Sequence, residues 1–415
     1  MIRALTYILV LLISLGPALG KSTVKPTVKL GVDILLGDGC NSLSGMRYAL
    51  LTNFSGRTGS GELTADALIE KAPVKPAFIF TPEHGLFSNI KAGDKVEDAV
   101  YRGVAVRSLY GSDRKPRPEW IKGLDAIVVD IQDIGVRSYT YLSTVYLAMQ
   151  AAAEAGVKFI VLDRPNPIGG AIADGAVMPR GRESFVGIIP ISYVHGCTIG
   201  ELAAMINGEN WLGKELKCDL EIIKMKGWRR SMSWEDTGLT WFSTSPNIPS
   251  VDAARGAACI GILGELGTMS VGIGTAFPFQ YLGDESLSTE EVSTIAGKLD
   301  LPGIKLIPTQ YKSQNARPGD PPIVGFQIQF YLSNSFKPYS AGLELASELA
   351  KIKRELFDTT RMKKNSIEMF NKVTGDRGEL LGALYNPSTS GEALKWGSRG
   401  LPQYLKLRSK YLLYE

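Results

Sequence analysis

The chain has 415 residues, a formal net charge of +4 and two histidines. This length exceeds one ordinary hydrophobic core, so two domains are expected. The basic residues are dispersed, without Lys/Arg runs interleaved with aromatics, which argues against nucleic acid as a partner. Two histidines exclude a three-histidine metal site, and none of the four cysteines lies in a CxxC spacing. We therefore expect neither a metal nor another cofactor. Buried free thiols are expected for the four cysteines, with disulfides as the alternative in an oxidising compartment.

Residues 1–20 have the pattern of a signal peptide. Arg3 precedes an uncharged, strongly apolar run over residues 4–20, and Ala18 and Gly20 stand where a signal peptidase requires small residues. A permanent anchor is the alternative, but about 17 apolar residues is the short limit for a membrane span. No later stretch reaches about 18 apolar residues, so no stable membrane span is expected after cleavage. The expected location is the periplasm or the cell exterior.

Short apolar runs alternate with helical patterns in the first half of the chain, which is typical of βαβ units and a mostly parallel sheet. The predicted strands are Tyr48–Thr52, Ala77–Thr81, Ala105–Ser108, Ala126–Asp130 and Phe159–Asp163. The predicted helical segments between these strands are Leu63–Lys71, a short turn at Trp120–Lys122, and Leu142–Ala155. The predicted fold class is α/β, with a Rossmann-like, mostly parallel sheet domain over residues 24–252.

Predicted strands and helices alternate less regularly in the second half of the chain. Thr198 is predicted to cap a helix, with Glu201 completing a capping box. A second strand–helix pattern begins beyond about Val251, so a smaller C-terminal α/β (α+β) domain is expected over residues 253–415. Further predicted elements are strands at Leu220–Lys224 and within Ile323–Tyr331, and helices at Ala341–Phe357 and Glu379–Leu384.

Each predicted strand of the first domain ends in polar or turn residues. These polar ends begin at Asn53, Pro82, Tyr110, Asp130 and Asp163. The carboxyl ends of strands in an open α/β sheet form one edge, and ligands bind in the crevice there. We therefore expect these clusters to converge in space.

Glu83 and His84 follow the second strand, between a rigid Pro82 and a flexible Gly85. Such a turn would hold both side chains at a defined place on the crevice edge. A glycosidase needs a carboxylic acid that protonates the leaving oxygen, and Glu83 fits that task. The alternative is a turn in which both side chains satisfy local backbone groups.

The segment from Asp130 to Tyr141 concentrates several polar residue types at one strand end. Asp130 and Asp133 could supply a second catalytic carboxylate, and Arg137 could clamp an anionic substrate group with two parallel hydrogen bonds. The alternative is an internal Asp–Arg pair that shapes the loop. The functional role and the structural role are compatible with each other.

Two further candidates come from residues later in the chain. Prolines on both sides of Asn166 would aim its amide at a ligand, whereas Asp163 could instead pair with Arg164 or cap the turn. His195 precedes the capping-box helix and could face the same crevice, although a single histidine is more often structural. The chain has no Walker loop, no complete dinucleotide fingerprint and no GxSxG elbow.

These motifs together resemble the exo-β-N-acetylmuramidases of glycoside hydrolase family 171. The resemblance is carried by TPEHG at 81–85, LYG at 109–111, DIQDIGVRSYTY at 130–141, VLDRPNPIGG at 161–170, HGCTIGELA at 195–203, GW at 227–228 and SPN at 245–247. It implies an exo-acting glycoside hydrolase that removes N-acetylmuramic acid, or a related muramyl unit, from the non-reducing ends of peptidoglycan fragments. It also implies a site between a Rossmann-like domain and a smaller C-terminal domain.

The resemblance further implies roles for individual residues. The glutamate of PEHG, here Glu83, is the family's proposed catalytic acid. Asp130 or Asp133 would activate water or steady the developing cationic sugar, and Arg137 or Arg164 would meet the lactyl carboxylate of muramic acid. The remaining substrate-binding candidates are His84, Tyr139, Asp163, Asn166, His195 and Asn247.

One passage departs from the family pattern. Where relatives carry a stretch like EGTNxSEGRGTTRPFE, this chain has ELGTMSVGIGTAFPFQ over residues 265–280. Four polar or charged positions are now Val271, Ile273, Phe277 and Gln280. We expect an altered second wall and a shifted substrate or subsite. The main alternative is a non-catalytic binder of cell-wall fragments that uses the same cleft, and a hydrolase of esters or amides is the next.

Overall fold

The computed structural model describes residues 28–213, 215–314, 316–331, 335–386 and 390–415. The predicted signal peptide over residues 1–20 lies outside these described residues. Within the described ranges, no helix has the length and apolar character needed to cross a membrane. All four cysteines lie within the described ranges, where each is buried as a free thiol.

A seven-stranded sheet forms the centre of the first half of the molecule. Its order is β3-β4-β2-β1-β5-β6-β7, and every neighbouring pair is parallel except the β3–β4 hairpin. The strands are β1 Tyr48–Thr52, β2 Phe78–Thr81, β3 Ala99–Tyr101, β4 Val104–Ser108, β5 Ala126–Asp130, β6 Lys158–Leu162 and β7 Leu220–Ile223. The prediction of a mostly parallel sheet is confirmed.

Helices cover both faces of this sheet, and β1 and β5 are accordingly buried along their whole length. The helices are α1 Gly31–Gly37, α2 Thr64–Lys71, α3 Pro118–Ile121, α4 Thr140–Ala155 and α5 Ile199–Gly208. Helix α4 ends at Gly156, which adopts the left-handed conformation that favours glycine. The Thr198 hydroxyl accepts a hydrogen bond from the Glu201 backbone amide, so the predicted capping box is confirmed.

The second half contains a small antiparallel sheet of order β8-β10-β9. Its strands are β8 Tyr281–Asp284, β9 Ile304–Tyr311 and β10 Ile323–Phe330. The surrounding helices are α6 Val251–Gly264, α7 Thr289–Lys298, α8 Pro338–Ile352, α9 Lys364–Thr374, α10 Glu379–Tyr385, α11 Ser390–Gly397 and α12 Leu401–Arg408. An α/β protein with one mostly parallel sheet and a second, smaller sheet agrees with the predicted fold class.

The end of the chain returns to the first sheet. Tyr404 of α12 donates a hydrogen bond to the carbonyl of His195 at 2.7 Å, and the hydroxyl of Tyr414 donates to Asp163 at 2.6 Å. The division into residues 24–252 and 253–415 stays a prediction. All strands of the seven-stranded sheet come before this boundary and all strands of the small sheet come after it. However, Tyr404 and Tyr414, near the end of the chain, contact residues of the first half.

Candidate active site

A cavity of about 560 Å³ lies between the carboxyl ends of the first sheet's strands and helix α6. Its polar residues from the strand ends include Glu83, His84, Tyr110 and Thr140. A larger depression of about 790 Å³ lies between α3 and the end of α4, and its lining includes none of the strand-end motifs. Convergent polar groups, rather than size, make the first cavity the candidate site.

Glu83 is buried in this cavity, with 6% of its surface exposed. The Thr140 hydroxyl donates to its Oε2 at 2.5 Å, and the Gly93 backbone amide donates to its Oε1 at 3.0 Å. The Tyr110 hydroxyl also hydrogen-bonds to Glu83, and burial followed by the charge of Glu83 raises the pKa of Tyr110 to about 12. These donors fix the orientation of the carboxyl group.

His84 lies beside Glu83 in a turn of unusual backbone geometry. His84 has φ 73° and Gly85 has φ 74°, so two successive residues are left-handed. The His84 Nδ1 lies 2.8 Å from the carbonyl oxygen of Ile90. Because a carbonyl only accepts, Nδ1 carries the proton, and the ring orientation is thereby fixed.

Asp130 lies at the same sheet edge but is fully buried and outside the cavity lining. Arg164 binds its carboxylate in a two-pronged manner, from Nε at 2.5 Å and from Nη2 at 2.8 Å, and the Thr64 hydroxyl donates to it as well. The structure therefore contains the internal Asp–Arg pair of the alternative interpretation, although the arginine is Arg164. This geometry favours a structural role for both residues over the predicted contacts with water and substrate.

Asp133 and His195 form a second buried pair outside the lining. The Cys197 amide donates to His195 Nδ1 at 3.2 Å, so the proton is on Nε2, which donates to Asp133 at 3.1 Å. Asp133 also accepts from the Gly135 amide at 2.6 Å. The pair holds the loop after β5 against the segment that leads into α5.

Arg137 is 1% exposed and lines no part of the cavity. Its Nη1 donates to the carbonyls of Ala176 and Ile191, both at 2.7 Å, and its Nη2 donates to those of Val373 and Thr374 at 2.9 and 3.3 Å. Burial lowers the pKa of Arg137 to about 10. The guanidinium thus caps the carboxyl end of α9 and joins the two halves, which leaves it no donor pair for the predicted substrate anion.

Asp163 and Asn166 are also buried and occupied internally. Asp163 accepts from the Thr198 hydroxyl at 2.7 Å and from the Gly200 amide at 2.9 Å, at the start of α5. The Asn166 side chain donates to the Cys197 carbonyl at 3.0 Å and accepts from the Ile168 amide at 3.0 Å. Both residues shape the loops beneath the cavity rather than its surface.

The predicted site residues therefore fall into two layers. Four of them line the cavity: Glu83, His84, Tyr139 and Asn247. The other seven form a layer of buried hydrogen bonds beneath it: Asp130, Asp133, Arg137, Asp163, Arg164, Asn166 and His195.

Nine further polar residues line the cavity and were not among the predicted site residues: Tyr110, Arg114, Ser138, Thr140, Ser184, Tyr193, Ser245, Glu265 and Lys372. Tyr110 and Thr140 lie inside the LYG and YTY motifs, so the motifs could have suggested them. Arg114 and Lys372 are exposed, form no ion pair with any described residue, and carry no sequence signal of their own. The Arg114 guanidinium lies 4.2 Å from the centre of the Phe185 ring.

The four departures from the family pattern lie outside the cavity lining. Val271 is buried against α6, whereas Ile273 and Phe277 are 46% and 44% exposed, and Gln280 is partly buried. Phe279 of the same loop does line the cavity and is left-handed, with φ 59°. Ile273 and Phe277 thus change the outer face of this loop, whereas Val271 packs on α6. Within the described residues, no cluster of three or more His, Cys, Asp or Glu side chains could hold a metal ion.

Solved structures share this architecture. A crystal structure of a DUF1343 family protein from Bacteroides fragilis NCTC 9343 matches with a TM-score of 0.86 and 35% identity, covering 94% of this chain and 99% of that chain. A second DUF1343 family protein from the same strain matches with a TM-score of 0.69 and 26% identity, over 94% and 99% of the two chains.

Sequence comparisons agree with the structural ones. The peptidoglycan β-N-acetylmuramidase NamZ of Bacillus subtilis (strain 168) is 35% identical over 392 residues, which is 94% of this chain and 92% of that protein. The family model described as exo-β-N-acetylmuramidase NamZ, N-terminal, matches residues 48–252, and its C-terminal counterpart matches residues 258–414. The chain therefore belongs to the NamZ family of exo-β-N-acetylmuramidases.

Proposed function

We propose that the protein is an exo-acting glycoside hydrolase that releases N-acetylmuramic acid, or a related muramyl unit, from the non-reducing ends of peptidoglycan fragments. Family membership supports the reaction class. The observation that carries the proposal is Glu83, a carboxyl group held by Gly93, Tyr110 and Thr140 and turned into a cavity of sugar-binding size.

Hydrolysis of a glycosidic bond requires a proton on the leaving oxygen and a water molecule at the anomeric carbon. Carboxyl groups perform both tasks in most glycosidases, through a transition state with positive charge on the sugar ring. A carboxyl group with a fixed orientation loses little freedom when the substrate arrives, which lowers the barrier. Glu83 meets this requirement, whereas Asp130 and Asp133 lie beneath the cavity surface.

The lactyl carboxylate of muramic acid needs a cationic partner. Arg137 and Arg164 already donate to internal acceptors. Arg114 and Lys372 line the cavity from its two sides and keep their charges unpaired among the described residues. We assign the recognition of the lactyl carboxylate to these two side chains.

The location of the substrate supports a proposal for the start of the chain. Peptidoglycan lies outside the cytoplasmic membrane, and residues 1–20 have the pattern of a signal peptide. We assign to these residues the export of the protein to the periplasm or the cell exterior.

The test is sugar release from a chromogenic β-N-acetylmuramide by the mature protein and its Glu83→Gln variant. Loss of a catalytic carboxyl group is expected to lower the rate by about 10² or more. Glu119→Gln, an exposed carboxyl group on α3, is the matched control and is expected to keep the full rate. Binding of a muramyl ligand without turnover by the parent would refute the hydrolase and favour a binder of wall fragments.

A further inference from the structure

Glu265 is a second carboxyl group in the cavity. It directly follows helix α6 and lies on the wall opposite the strand ends, where Ile248, Ala257 and Phe279 also line the cavity. Within the described parts of the chain, no hydrogen bond or ion pair engages its carboxyl group, and the side chain is only partly exposed. A carboxyl group that is partly buried and without a protein partner is available to a ligand.

Glu265 and Glu83 differ in their hydrogen-bond partners. Both carboxyl oxygens of Glu83 accept hydrogen bonds, from Gly93 and Thr140, whereas no described group donates to the carboxyl group of Glu265. Burial raises the pKa of Glu265, and its place at the carboxyl end of α6 further disfavours negative charge. Two carboxyl groups in one cavity with different environments can divide acid and base roles between them.

The two carboxyl groups line the same cavity, which also contains the segment from Ser138 to Thr140. Thr140 donates to Glu83, and Ser138 donates at 3.2 Å to the hydroxyl of Tyr193, another residue of the cavity lining.

We propose that Glu265 is the proton donor of the reaction and that Glu83 is the base that accepts a proton from water. This assignment rests on the proposed function. The proton of Glu265 passes to the glycosidic oxygen as the bond between that oxygen and the anomeric carbon breaks. Water adds to the anomeric carbon and gives its proton to Glu83, and exchange with solvent then restores both groups. The water-activating role predicted for Asp130 or Asp133 thus falls to Glu83, and the acid role predicted for Glu83 falls to Glu265 on the second wall.

Leaving-group dependence tests this assignment. A nitrophenolate departs without protonation, whereas a sugar hydroxyl needs an acid. Glu265→Gln is therefore expected to lower kcat by about 10² on a muramyl disaccharide and by less than about tenfold on a nitrophenyl N-acetylmuramide. Glu83→Gln is expected to lower kcat on both substrates. The activity of the parent on the disaccharide is expected to fall as pH rises through the raised pKa of Glu265. The pH–rate profile of Glu265→Gln is expected to lack this decrease.

Glu344→Gln is the matched control, because burial also raises the pKa of Glu344, which lies on α8 outside the cavity. Thermal unfolding of both variants checks that they are folded. An unchanged kcat of Glu265→Gln on the disaccharide, or a change in KM alone, would overturn the assignment. An equal loss on both substrates would also overturn it. A parent protein that hydrolyses neither substrate would refute the proposed function instead, so the two failures are distinguishable.

Discussion

Glu83 follows strand β2 and Asp130 ends strand β5. These two strands flank β1 on its two sides, yet only Glu83 faces the cavity. Asp130 is the last residue of its strand and is enclosed by Arg164, which follows the neighbouring strand β6. Glu83 lies beyond Pro82, in a turn that the left-handed His84 bends toward the cavity. Being at the carboxyl edge of a sheet is therefore not sufficient for contact with substrate, because the turn and the available partners decide which way a side chain points.

The same chemical change at these two positions is expected to lower stability by unequal amounts. Asp130→Asn leaves the buried Arg164 without its counter-charge and is expected to lower the free energy of unfolding by about 3–5 kcal/mol. Glu83→Gln removes no buried ion pair and keeps one acceptor oxygen for the surrounding donors, so it is expected to lower the free energy of unfolding by only about 1–2 kcal/mol. Urea unfolding of both variants and the parent measures the difference. Equal stabilities of Asp130→Asn and Glu83→Gln would refute the division into two layers.

Thr140→Val tests whether the hydrogen bond from Thr140 is needed to orient Glu83 in the cavity. It removes the hydroxyl that donates to Glu83 and is expected to lower kcat on a muramyl substrate about tenfold, the worth of about one hydrogen bond to a charged group. Thr144→Val, four residues further along α4, is the control, because that hydroxyl donates only to the backbone of Thr140. A similar kcat in both variants would mean that the orientation of Glu83 does not depend on this donor.

The smallest effects are expected at the two cations of the cavity wall. Arg114→Gln and Lys372→Gln are each expected to raise KM for a muramide about 2- to 5-fold without changing kcat, since an exposed ion pair contributes up to about 1 kcal/mol. The effect is expected to shrink as salt is added. Arg117→Gln is the control, because Arg117 pairs with Asp113 outside the cavity. An unchanged KM in both variants at low salt would place the lactyl carboxylate elsewhere.

Several elements of the fold could be predicted from local sequence. Strands β1 and β5 begin and end at the predicted residues, and the capping box of α5 forms between Thr198 and Glu201 as predicted. These elements have strong local signals: continuous apolar runs, or a hydroxyl and a carboxyl group three residues apart. Elements with weak signals were missed. Strand β3 has three residues and is largely exposed, and β9 contains Pro308, which is atypical of a strand.

The sequence by itself determined the order of the βαβ units, and hence that polar strand ends meet at one edge, since hydrophobic periodicity and turn residues act over a few neighbours. Only the tertiary structure decided which of those polar groups reach the cavity. Arg137 donates hydrogen bonds to carbonyl groups more than 230 residues away in the sequence. Helix α6 places Glu265 on the cavity wall opposite the strand ends. Such choices depend on which acceptors and carboxyl groups the folded chain brings together, and no local pattern of residues contains that information.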